Sequence, residues 1–247
     1  KPSFFRETRF LNSGNSQMVK RIYVPTLGPQ EWQRFLADPV KQWKAGYSAR
    51  ALATCWEAAG GWPPEVVALF KSSGIPELDS IELLLAIPEY KVDLPPRGRP
   101  SQNDLFVLGK AADGRLVALT IEGKVDESFG PTLGEWLAGA SAGKAERLLF
   151  LTGELGLPGA LPPTIRYQLL HRTVSALLLA RQFNARHAIM GVHSFSRSRA
   201  WFEDFAAFMA LFGVQRITPD SLFVLLQTAT INLYAGWASG DLRFLEG

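Results

Sequence analysis

The sequence predicts an α/β fold, and three observations carry that prediction. Two β-rich runs, residues 105–110 and 115–122, flank Ala112-Asp113-Gly114, a hairpin signal in which Gly114 suits the left-handed position that ends a three-residue loop. Residues 163–184 form the longest helical pattern, with Ile165, Leu169, Leu170, Val174, Leu177 and Leu178 on the buried side. A β-rich run over 188–195 follows, so strand, helix and strand succeed one another.

The 247 residues are long for one hydrophobic core and short for two, so one domain with decorations is expected. With 47% apolar and 20% charged residues the chain can bury a sizeable core. Residues 1–17 read as an N-terminal extension or tag ahead of Met18, leaving 18–247 as the single domain. The net charge of +3 is modest, but up to Arg50 nine Lys or Arg face only Glu7, Glu31 and Asp38. A polyanionic partner is therefore permitted without being required. The single cysteine, Cys55, cannot form an intrachain disulfide and reads as a buried helix residue. No apolar run reaches the roughly 18–20 residues of a membrane span, and the charged start does not suit a signal peptide, so a cytoplasmic protein off the membrane is expected.

Along the chain, residues 21–24 suggest a short strand stopped by Pro25. Pro29 opens a helix that Asp38-Pro39 closes. Ser48 is expected to cap the next helix, which carries Glu57 and ends at Gly60-Gly61, and Pro63-Pro64 starts another through Phe70. Residues 80–94 read at least partly as strand, interrupted by Pro88. Thr132 and Glu135 form a capping box, and residues 143–155 read as a helix ended by Gly156. Ser198 should cap a helix through Phe212, with buried strands near 222–226 and 231–237 to finish.

The hairpin carries the chemistry. If Ala111 pairs with Arg115, counting outward places Asp104 opposite Glu122, with Cβ atoms about 4.5–5.5 Å apart. Two carboxylates so close call for a positive charge between them. Mg²⁺, or Mn²⁺, suits such oxygen donors, and strand alternation puts Lys124 on the same face, able to hold a water or offset developing phosphate charge.

Asp104 followed by Glu122-Gly123-Lys124 resembles the PD-(D/E)XK nuclease superfamily, and within it a bacterial branch. The order of elements over about 47–195 is similar to that superfamily's restriction-endonuclease-like αβββαβ core, here with added helices and C-terminal strands. Asn103 stands where the motif's proline would be, and the insertion from Asp126 to Leu161 is long. The resemblance implies Mg-dependent phosphodiester hydrolysis of nucleic acid, DNA first, with Asp104, Glu122 and the helical Glu57 as metal ligands and Lys124 as the catalytic lysine. It also implies nucleic-acid contacts from Gln168, His171 and Arg172 on the helix after the hairpin. Arg197 and Arg199, before a helix N-terminus, are further candidates for phosphate contact.

Two other readings stay open: a nuclease-fold binding or interaction module without turnover, and an unrelated α/β protein whose hairpin carboxylates are structural. A homodimer is left open too. His193, within an apolar strand, is expected to satisfy a local hydrogen bond, and Trp56, Trp62, Trp136 and Trp201 to serve as packing anchors.

Overall fold

The computed structural model describes residues 26–246, apart from residues 97 and 140; the strand expected at 21–24 lies outside the described residues. A 3₁₀ turn at Pro29–Phe35 precedes α1 (Pro39–Gln42), α2 (Ser48–Ala59) and α3 (Pro64–Ser72). Three strands follow, β1 (Glu82–Val92), β2 (Ser101–Lys110) and β3 (Leu116–Lys124), then α4 (Leu133–Leu137), α5 (Ala142–Glu154) and α6 (Tyr167–Gln182). The chain ends through β4 (His187–Ser194), α7 (Phe202–Ala210), β5 (Ser221–Gln227) and β6 (Asn232–Ser239). The strands build one mixed sheet in the order β1-β2-β3-β4-β6-β5, with β3, β4 and β6 mutually parallel and the outer pairs antiparallel. The fold is α/β, and among the described residues no helix is long and apolar enough to cross a membrane.

The hairpin forms as counted. Ala111 N donates to Arg115 O at 2.8 Å, Gly114 takes φ 83°, and the ladder runs from Lys110 opposite Leu116 to Leu105 opposite Ile121. That loop conformation is why a glycine stands there. The capping box of α4 and the extents of α5 and β4 also agree with the sequence pattern.

Six local expectations are corrected. Asp38-Pro39 opens a helix instead of closing one: the Asp38 carboxylate accepts from Lys41 N, and proline sits at the first turn, where no amide donor is missed. Ser48 is the first helical residue and not the cap, because its N and Oγ both donate to Glu127, 79 residues away. Pro88 does not interrupt β1, which lies at the sheet edge and needs hydrogen bonds on one side only. Residues 163–166 are not helical, since the carbonyls of Pro163 and Ile165 accept from the amides of Gly134 and Leu133. Ser198 does not cap α7, which begins after Trp201, and β5 is the opposite edge and only partly buried.

Strand alternation divides the core into two layers. Phe106, Ala118, Met190, Leu233 and Trp237 point to the side covered by α5, α6 and α7. Leu105, Val107, Leu119, Ile189 and Tyr234 point to α2 and α3, where Leu52, Trp56, Leu69 and Phe70 meet them. α6 lies against β3 and β4 with most of its residues buried, polar Arg172 among them. The consequence is that any polar residue at an even position near the end of β3 must find its partner on α6.

Close packing where β1 shifts register against β2 gives a test. A Cβ at Gly109 would lie 2.6 Å from Ile81 Cγ2 and 3.1 Å from Glu82 O. Gly109→Ala is expected to cost about 1–3 kcal/mol, read as a lower urea midpoint at unchanged slope.

Candidate functional site

Three carboxylates occupy one row across the sheet. The ladders place Pro88 opposite Leu105 and Tyr90 opposite Asn103, so Glu89 stands against Asp104, and the β2–β3 register continued by one residue puts Asp104 against Glu122. The row lies near the start of β2 and the carboxyl end of β3, where the parallel part of an open α/β sheet presents its ligand-binding edge.

Glu122 is only 3% exposed, so its charge must be met inside the protein. Its Oε1 accepts from Lys124 Nζ at 2.7 Å and from Gln168 Nε2 at 2.7 Å, and its Oε2 accepts from Arg172 Nε at 2.6 Å. Gln168 Oε1 in turn accepts from Lys124 at 3.3 Å. Residues 168 and 172 are one helical turn apart, so α6 delivers the amide and the guanidinium to the same carboxylate. Asp104 Oδ2 accepts from Gly123 N at 2.8 Å, and the bare Gly123 leaves room for Leu52 on α2 behind it.

These surroundings push the three carboxyls apart. Burial would raise Glu122, but the charges of Arg172 and Lys124 hold it down to about 2, so it is ionised. Burial and the Glu122 charge raise Asp104 to about 7, and burial with the Asp104 charge raises Glu89 to about 9. Near neutrality the row therefore holds one firm negative charge, one that comes and goes, and one carboxylic acid. Glu89 Oε2 accepts from Gln102 Nε2 at 2.7 Å, and its backbone sits at φ 52°, an uncommon conformation for a non-glycine residue.

Asp104, Glu122, Lys124, Gln168 and Arg172 thus come together. His171 stands beside them: Ser101 Oγ lies 2.8 Å from its Nδ1 and accepts from Arg172 NH1 at 3.0 Å. Glu57 is committed elsewhere, its Oε1 accepting from Thr26 Oγ1 at 2.7 Å and Trp32 Nε1 at 3.0 Å, which anchors the segment ahead of α2. The third acidic group acting on Asp104 and Glu122 is Glu89, on an edge strand and not on a helix. Arg197 and Arg199 lie in the loop after β4, both exposed, with Arg197 3.5 Å from Glu246. Glu89 and Ser101 escaped the sequence reading because residues 93–100 are no tight turn, so the β1–β2 register could not be counted.

Asp104 and Glu122 offer hard oxygen donors on one face, the chemistry that Mg²⁺ or Mn²⁺ takes. A different trio lies on the other face, where the ligand atoms of Cys55, Glu65 and His193 sit within 4.8 Å of one another. Such N, O and S donors are of the type zinc uses. The hydrogen bonds argue against it. Trp56 Nε1 donates to His193 Nδ1 at 3.2 Å, which leaves the proton on Nε2, where it donates to Glu65 Oε1 at 2.9 Å. A metal on Nε2 would set a protonated Nδ1 against the indole N–H, donor against donor. Cys55 Sγ completes the chain by donating to Glu65 at 3.5 Å, and burial pushes its thiol well up. The trio is a polar strut joining α2, α3 and β4.

Two outcomes follow from the electrostatics. Arg172→Met should destabilise the protein by about 3 kcal/mol by stripping a buried carboxylate of one partner, and pairing it with Glu122→Gln should recover most of the loss in a urea-denaturation cycle. Glu89 titrates at about 9 when folded against about 4.5 when unfolded, so the native state binds the extra proton and stability falls as pH rises between those values. Glu89→Gln should therefore melt with wild type near pH 5 but about 2–4 °C or more above it near pH 9.

The chain matches, over residues 25–242, the family described as Domain of unknown function (DUF6946). No curated protein and no solved structure matched. The matched span takes in every helix α1–α7, every strand β1–β6 and all residues of the carboxylate row. The chain belongs to the DUF6946 family.

Proposed function

We propose that this DUF6946 member is a divalent-metal-dependent phosphodiesterase acting on nucleic acid, with DNA as the first substrate to test. The observation that carries the reading is the buried cluster at the carboxyl end of β3: Asp104 beside Glu122 in register, with Lys124 bonded to Glu122 on the same face. The order α2, β1, β2, β3, α6, β4 supports it, since a restriction-endonuclease-like core runs αβββαβ.

Asp104 and Glu122 would hold the Mg²⁺ or Mn²⁺, which when bound supplies an acidified water and positive charge at the phosphate. The residues fit such an ion because Asp104 is a partly protonated acid forced beside a fixed negative charge, and a cation relieves that conflict better than a proton does. Lys124, with one N–H group left beyond those given to Glu122 and Gln168, orients the attacking water or meets charge developing on the phosphoryl oxygens. Gln168 and Arg172 keep the Glu122 carboxylate in one orientation. In this reading the protein works among nucleic acid in the cytoplasm.

One observation favours a second reading, a binding module without turnover. Both Glu122 oxygens are already bonded to protein donors, and Arg172 with Lys124 supplies two positive charges to it. A centre so neutralised could bind a phosphate backbone without recruiting a metal.

The deciding assay incubates the protein with single- and double-stranded DNA and RNA in Mg²⁺ or Mn²⁺. Cleavage is expected, with Lys124→Ala and Glu122→Gln lowering it about 10²-fold or more while the fold persists by circular dichroism. No cleavage of any substrate, or a wild-type rate in both variants, would overturn the enzymatic reading.

A further inference from the structure

Beside the carboxylate row lies a cavity of about 480 Å³ walled by Leu94, Pro96, residues 98–101, Trp136, the start of α5 and the first turns of α6. A second, of about 380 Å³, continues it toward Gln168 and Arg172, and the two share Pro100, Tyr167 and His171. Among the described residues their linings include Arg99, Lys144, Arg147 and Arg172 and no acidic side chain. That imbalance selects an anionic occupant.

The walls are held in place. Arg147 spends its guanidinium on four carbonyls, those of Leu94, Pro95, Pro96 and Arg99, at 2.7–3.2 Å, which ties those residues to α5. Trp136 and Tyr167 stack with ring centroids 4.0 Å apart, and both line the first cavity. Lys144 donates once, to Trp136 O at 2.6 Å, and an ammonium has two more N–H groups. Arg99 is exposed and makes no ion pair among the described residues.

His171 lines both cavities. Ser101 Oγ accepts from Arg172 NH1 at 3.0 Å and lies 2.8 Å from His171 Nδ1, which holds the ring at the junction. Burial and the neighbouring Arg172 charge keep the ring neutral.

We propose that the two cavities form the path of one single-stranded nucleic-acid chain, its phosphates meeting Arg99, Lys144 and His171 on the way to Glu122. The inference rests on the nuclease reading for where the chain leads. A single strand is specified because the lining sets the cationic Arg99 and Lys144 beside the aromatic pair Trp136 and Tyr167, and only unpaired bases are free to stack on aromatic side chains.

The test is fluorescence anisotropy with wild-type protein in chelator, which prevents cleavage, using a short labelled single strand and the matching duplex. Arg99→Glu and Lys144→Gln are compared singly and together, with thermal melting to show that they fold; Arg99 is exposed, so its variant probes the path without touching the core. The single strand should bind more tightly than the duplex, the double variant should lose about 10-fold or more, and the salt slope should fall by about 0.7 per lost contact. Duplex bound as tightly as single strand, an unchanged double variant, or equal competition by polyglutamate would each overturn the path. Cleavage that persists with unchanged binding sinks the path and leaves the nuclease reading. Variant-sensitive binding without any wild-type cleavage sinks the nuclease reading and leaves the path.

Discussion

Placing a carboxylate under a helix costs several kcal/mol unless its charge is matched, and Glu122 is matched twice over, by Arg172 from α6 and by Lys124 from its own strand. Much of the site's geometry answers that requirement. α6 must be packed on β3 for Arg172 to arrive, Gln168 must lie one turn earlier to fill the remaining lone pair, and Ser101 must begin β2 where the guanidinium has a hydrogen left to donate. The cluster thereby ties β2, β3 and α6 together through groups that could not be left unpaired. Specificity of arrangement, more than net stability, is what such a buried network provides.

With Glu122 satisfied, its neighbours carry the unsatisfied charge. Asp104 and Glu89 stand in the same row with no ion-pair partner of their own among the described residues, and the row resolves the conflict by retaining protons. A site built this way is poised: a second positive charge would be welcomed at Asp104, whereas Glu89 can act as a hydrogen-bond donor near neutrality. Perturbed carboxyls beside basic cavities at the carboxyl edge of parallel strands are the physical content behind the phosphodiester reading.

The other face shows that metal-like spacing alone is not a site. Cys55, Glu65 and His193 have donor atoms near enough for an ion, yet the indole of Trp56 decides the histidine tautomer and with it the direction of every hydrogen bond in the trio. The strut also satisfies polar groups that would otherwise be stranded beneath α2 and α3.

The residue string by itself determined the hairpin, its three-residue loop and the opposition of Asp104 to Glu122, because a tight turn transmits register by simple counting. It likewise determined the long amphipathic α6 and the order of helices and strands, since periodicity is a local property. Only the tertiary structure decided which acid joins that pair. Glu57 is turned to Thr26 and Trp32, whereas Glu89 arrives from an edge strand across a connection too long to count through. It also decided that Arg172 is buried against Glu122 and not spread on a solvated helix face, and that Glu127 and not Ser48 supplies the cap of α2. Those outcomes depend on which charges are enclosed together, and enclosure is set by packing between segments far apart in the chain.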